Sequence, residues 1–167
     1  FLGKGQDLLF ATTVAERRSE FDFSFTEPYF LKRDLSAGVD LYHITQDLQD
    51  ESSYNSRREG GGLRLGYPLS ENWRQRLNYK LETSDVYDVQ PLASLYIQQQ
   101  SGRRTTSLVG QTLTFDNRDS KLEPTEGVVA NISTDFAGVG GEAQYVRLRT
   151  GGTYYYPVAD NWVASLL

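Results

Sequence analysis

The chain has 167 residues, 13% of them aromatic, with no cysteine, one histidine and a formal net charge of −5. The acidic balance leaves no surplus of Lys and Arg for nucleic-acid phosphates, and the missing cysteines remove disulfides, thiolate metal sites and thiol nucleophiles. A negative mean hydropathy excludes a bundle of membrane helices, but not a barrel, in which every second strand residue is polar.

Residues 7–15 form the first candidate strand, with poor alternation: Leu8, Phe10 and Val14 lie on one side, Leu9, Ala11 and Ala15 on the other. The second, 19–27, is the strongest signal, because Phe21, Phe23 and Phe25 alternate with Asp22, Ser24 and Thr26. The third, 35–44, sets Leu35, Ala37, Val39 and Leu41 against Ser36, Asp40 and Tyr42. In the fourth, 60–69, Leu63, Leu65, Tyr67 and Leu69 oppose Gly62, Arg64 and Gly66. In the fifth, 73–83, Trp73, Leu77, Tyr79 and Leu81 oppose Arg74, Arg76, Asn78, Lys80 and Glu82. Strands over 106–116, 126–136 and 142–156 follow, and Trp162–Leu167 begins a ninth. No domain boundary or low-complexity tract interrupts this succession of hairpins.

Connectors over 46–59 and 84–105 read as long loops, and 70–72 and 159–161 as tight turns. By parity, turns near 31, 71, 121 and 160 share one end and loops near 17, 52, 95 and 139 the other. The longest loop is expected to hold a short helix, with Pro91 in its first turn and Gly102 as its stop. Leu92, Leu95 and Tyr96 would then line one face and pack as a lid on the rim.

Chemistry-bearing clusters are scarce. His43 at a strand end reads as structural or exposed. Asp47, Asp50 and Glu51 read as solvated loop charge, without the spacing of a calcium loop. Gly138-Val139-Gly140-Gly141 reads as a hairpin turn, since no helix follows it. Two segments carry more information. In Phe25-Thr26-Glu27-Pro28-Tyr29-Phe30, Pro28 ends the ladder for want of an N–H, and Tyr29 and Phe30 suit a membrane interface. In Phe115-Asp116-Asn117-Arg118-Asp119-Ser120, closed by Pro124 and Gly127, Arg118 between two acids is placed to pin a turn by an ion pair.

These segments carry a family resemblance. Residues 25–30, with Arg33-Asp34-Leu35-Ser36-Ala37-Gly38, strongly resemble the early barrel strands of the BamA family, central subunits of the β-barrel assembly machinery of Gram-negative outer membranes. Asp116-Asn117-Arg118-Asp119 with Pro124 and Gly127 resembles a hairpin of the wider transporter superfamily, TamA-like and two-partner secretion transporters included. Phe1-Leu2-Gly3-Lys4-Gly5-Gln6 resembles the Asn-Phe-Leu-Gly-x-Gly junction where the last periplasmic domain meets the barrel. The lumen-loop Arg-Gly-Phe motif of that family has no counterpart here.

The resemblance implies an all-β fold: an antiparallel transmembrane β-barrel of about sixteen strands, of which residues 7–167 would supply the N-terminal half and residues 1–6 the junction. It implies an insertase, not an enzyme, with no catalytic residue, metal or cofactor. Leu8, Leu9, Phe10, Ala11, Thr12, Thr13 and Val14 would form the gate strand on which clients pair. Asp116, Arg118, Asp119, Pro124 and Gly127 would form the family turn, and Glu27, Pro28 and Tyr29 a periplasmic-side motif. The implied partners are outer-membrane lipids, nascent β-barrel clients and accessory lipoproteins. A secretion transporter of the same superfamily, a small structural eight-stranded barrel and a soluble β-rich enzyme are the other readings. Alternation predicts Phe21, Phe23, Phe25, Leu63, Leu65, Leu77 and Tyr79 outside the barrel, and Asp22, Arg64, Arg76 and Lys80 inside.

Overall fold

The computed structural model describes residues 5–159 and 162–167. Among them, nine strands form one antiparallel sheet in chain order: β1 (Asp7–Ala15), β2 (Arg18–Glu27), β3 (Ser36–Leu48), β4 (Tyr54–Pro68), β5 (Trp73–Tyr87), β6 (Gly102–Asp116), β7 (Gly127–Ala137), β8 (Tyr145–Ala159) and β9 (Trp162–Leu166). Two short helices, α1 (Gln49–Ser52) and α2 (Leu95–Gln99), lie in connectors at one end of the sheet. Phe1 to Lys4, most of the junction motif, and the turn at Asp160 and Asn161 lie outside the described residues.

The register makes the two faces chemically distinct. Directly paired residues share a face. One row crosses eight strands as Leu8, Phe25, Val39, Leu63, Tyr79, Val109, Phe136 and Val146. The row one residue away crosses them as Asp7, Thr26, Gly38, Arg64, Asn78, Gly110, Asp135 and Arg147. A slip of one residue in any pairing would mix the rows. The expected division of Phe21, Phe23, Phe25, Leu63, Leu65, Leu77 and Tyr79 from Asp22, Arg64, Arg76 and Lys80 follows this register. No second layer among the described residues covers the apolar face: Leu63 is 58% exposed and Val146 67%. Among the described residues only Ala93, Leu108 and Ala137 are buried apolar side chains. A soluble sandwich hides such a face against a second sheet; here it is left to the surroundings.

The strands outrun the sequence-based expectation at one end. β3 continues to Leu48 and β4 begins at Tyr54, so the expected long loop over 46–59 shrinks to a connector around α1. β5 likewise runs to Tyr87 and β6 starts at Gly102, trimming the loop expected over 84–105. These extensions are polar on both faces, as in Asn55-Ser56-Arg57-Arg58-Glu59. Backbone ladders do not require apolar side chains, which is why alternation alone misses them. The expected helix is present, but Ser94 caps it by accepting the Ile97 N–H, and Pro91 lies before it. Gly102 opens β6 rather than closing the helix. Among the described residues Leu92, Leu95 and Tyr96 are exposed, and Ala93 is the buried residue of that loop.

Candidate functional site

β1 forms nine consecutive pairs with β2, from Asp7–Thr26 to Ala15–Arg18. Among the described residues its other edge pairs with no strand. Leu8, Leu9, Phe10, Thr12, Thr13 and Val14 are exposed and only Ala11 is half-buried. The side chains of β1 thus have little to pack on besides β2; the main ring contact is Phe10 edge-on to Phe21, centroids 5.4 Å apart. The backbone donors and acceptors of its outer edge are those that a further strand of a barrel would pair with.

Glu27 ties the start of β1 to the turn after β2. One carboxylate oxygen accepts from Gln6 Nε2 at 2.5 Å and the other from the Tyr29 N–H at 3.2 Å. Pro28 follows the last ladder pair of β2 and lies beside Gly5.

The turn between β6 and β7 is built around the side chains of Asp116, Asn117, Arg118 and Asp119. Arg118 donates from Nε and Nη2 to the two oxygens of Asp116, both at 2.9 Å, and its side chain is only 17% exposed. Asp119 does not share that pair. It accepts from the Thr125 hydroxyl at 2.5 Å and from the amides of Thr125 and Glu126 at 2.9 and 3.1 Å. Asn117 Oδ1 accepts from the Val128 N–H at 2.7 Å. These bonds draw residues 124–127 back onto 117–119, bringing the five residues of the family turn into one unit. The pairing of Arg118 raises its pKa above the ordinary arginine value.

Sequence reasoning missed the cross-strand networks of the polar face. Arg64 Nη2 donates to Asp40 Oδ1 at 2.8 Å, Ser24 at 2.9 Å and Thr26 at 3.2 Å, tying β2, β3 and β4. Its Nε lies 2.6 Å from Asp40 Oδ2, but the hydrogen is not aimed at that oxygen, so this contact is electrostatic. Tyr42 donates to Glu82 at 2.5 Å across β4, and Lys80 Nζ lies 2.9 Å from the same carboxylate oxygen. At the opposite end from the family turn, Arg17 pairs with Asp50 and Glu51, which belong to the loop acids read as solvated charge. His43 lies on the apolar face, paired in register with Phe21, its Nδ1 3.5 Å from Glu59, where that face gives way to charge. Alternation assigns each residue its face; which acid meets which base depends on the stagger between strands.

The Omp85 superfamily domain matches residues 1–166. This chain belongs to the Omp85 superfamily. The outer membrane protein assembly factor BamA of Nitratidesulfovibrio vulgaris is 29% identical over 163 residues, 96% of this Omp85 chain and 20% of that protein. BamA of Neisseria meningitidis is 26% identical, covering 98% of the chain and 24% of that protein. A sorting and assembly machinery component 50 homolog of Xenopus tropicalis is 22% identical, covering 87% and 31%. The Omp85 chain therefore spans about a fifth to a third of the curated relatives it matches. In fold it is similar to the crystal structure of BamA from Haemophilus ducreyi lacking POTRA domains 1–3, with a TM-score of 0.71 at 22% identity over 98% of this chain and 34% of that one. The nine-stranded sheet is thus a stretch of an Omp85 barrel. The apolar face is its lipid-facing wall and the polar face its lumen wall.

Proposed function

We propose that this chain is the N-terminal half of the barrel of an outer-membrane protein assembly factor, working by strand augmentation and not by bond-making catalysis. In this reading β1 pairs weakly with the last strand of the barrel, the seam opens sideways as a gate, and a client strand adds to β1 through backbone hydrogen bonds. The relatives named as outer membrane protein assembly factors carry the reading, and β1, as the first strand of the sheet, supplies the edge that opens with the seam. Such an edge is an aggregation hazard in most proteins and is the working surface here. Side chains of a gate strand need no fixed partners, and all of Leu8 to Val14 except Ala11 are exposed. The partners are outer-membrane lipids, nascent barrel clients and accessory lipoproteins, and the location is the outer membrane of a Gram-negative bacterium, with the end bearing residues 28–35 and 117–126 facing the periplasm. The relatives named as assembly factors support this over secretion.

Single cysteines at positions 7–14 of the full-length protein should crosslink to the terminal strand of a stalled barrel client in native membranes. Crosslinks arising only from β4 and β5 would overturn the assignment. So would normal growth with β1 locked by a disulfide to its neighbour across the seam.

A further inference from the structure

The connector between β2 and β3 exposes Tyr29, Phe30 and Leu31 in succession, with Leu31 71% exposed. Leu31 and Lys32 both occupy the left-handed region, at φ 57° and 59°. Two successive non-glycine residues in that region are costly backbone, and this backbone turns an aliphatic side chain outward. Lys32 and Arg33 follow, exposed, and no carboxylate pairs with either among the described residues. An open groove of about 870 Å³ runs between this loop and the start of β1, lined by Gln6, Glu27, Tyr29, Phe30, Leu31 and Lys32.

The groove's place in the sheet names its occupant. Gln6 and Glu27 lie two residues beyond Leu8 and Phe25, so they share the apolar face, and the groove continues the lipid-facing wall. The same end carries Trp73 against Phe115 on that face, centroids 5.0 Å apart, the residue types of a headgroup-level girdle. A cluster of aromatic and aliphatic side chains followed by two exposed cations matches the acyl boundary and the phosphates above it.

We propose that residues 29–33 form a membrane-surface foot. Tyr29, Phe30 and Leu31 enter the boundary between headgroups and acyl chains of the leaflet at this end, and Lys32 and Arg33 engage the phosphates of anionic phospholipids. The proposal rests on the barrel wall facing lipid and not on the gate. If the gate reading failed, the crosslinks from β1 would be lost and the foot would remain.

The test uses the full-length protein, made free of cysteine elsewhere, in vesicles of phosphatidylethanolamine and phosphatidylglycerol. A fluorophore is placed at Leu31→Cys, with Leu63→Cys as the mid-wall control and Leu92→Cys as the water control. Position 31 should be quenched most by lipids spin-labelled near the headgroup, position 63 by lipids labelled deep in the chain, and position 92 by aqueous iodide. Deep quenching at position 63 also shows that each variant has inserted. Lys32→Glu with Arg33→Glu should lower shallow quenching at position 31 about twofold in these vesicles and leave it unchanged in phosphatidylcholine. Iodide quenching at position 31 equal to that at 92 would overturn the foot. Shielding of position 31 from both lipid and iodide would overturn it too, by showing that protein covers the loop. Identical quenching with and without the charge reversals would remove the phosphate contact.

Discussion

Gly127 shows how narrowly one residue is constrained in the turn between β6 and β7. It sits at φ 113°, and a Cβ there would lie 2.7 Å from Arg118 Cα and 2.8 Å from the Asn117 carbonyl oxygen. Any side chain would therefore push the β7 end of the turn off the segment holding the Asp116–Arg118 pair. Asp119 secures the other side. The Thr125 hydroxyl and the amides of Glu126 and Thr125 hold its carboxyl well below the ordinary carboxylate range. A carboxyl whose folded pKa is depressed stabilises the fold fully above its unfolded value of about 3.9, and that contribution is lost as pH falls through the lower folded value. Amide exchange of Thr125 and Glu126 should thus stay slow at pH 4 and quicken only in stronger acid. Asp119→Asn should flatten that acid limb. Loss of protection already between pH 5 and 4 would refute the assignment.

At the scale of the element, β4 is shaped by three consecutive glycines, Gly60, Gly61 and Gly62. Tyr42 reaches Glu82 across β4 over Gly60, where a Cβ would lie 2.7 Å from the Tyr42 hydroxyl and 2.5 Å from the Leu81 carbonyl oxygen. The missing side chain makes the bridge between β3 and β5 possible. Gly60→Val should cost about 1–3 kcal/mol by overpacking. Tyr42→Phe should cost about 1 kcal/mol for the lost hydrogen bond on a wet wall. Because the two changes touch one contact, the double variant should cost less than their sum. Urea unfolding of the full-length protein in vesicles measures all three, and strict additivity would show that the bridge and the glycine are independent.

For the molecule as a whole, the two faces of one sheet separate lipid from lumen. Leu63→Arg places a charge in the middle of the apolar row and should destabilise the inserted protein by about 2–4 kcal/mol. Thr106→Arg, on the polar face in register with Glu82, should change stability by no more than about 0.5 kcal/mol. Equal costs at the two positions would mean that the wall at Leu63 does not face lipid.

Strand existence, strand order and the chemistry of each face are local properties. A period of two in Phe21-Asp22-Phe23-Ser24-Phe25-Thr26 specifies both a strand and its sidedness without any partner, and Pro28 and Gly127 punctuate the chain by backbone geometry alone. The sequence by itself therefore determined the nine strands and the two walls, and resemblance in its turn motifs pointed to the family. The far ends of β3 to β6 were not legible, because Gln46, Asp47 and Asn55 to Glu59 carry no apolar alternation and are held by ladder hydrogen bonds to neighbours distant in sequence. Nor was it legible that Arg64 meets Asp40, that Asp119 caps Thr125 while Asp116 takes Arg118, or that Leu31 and Lys32 turn outward. Alternation assigns a side chain to a face; only the stagger between strands and the path of each connector bring two side chains within reach.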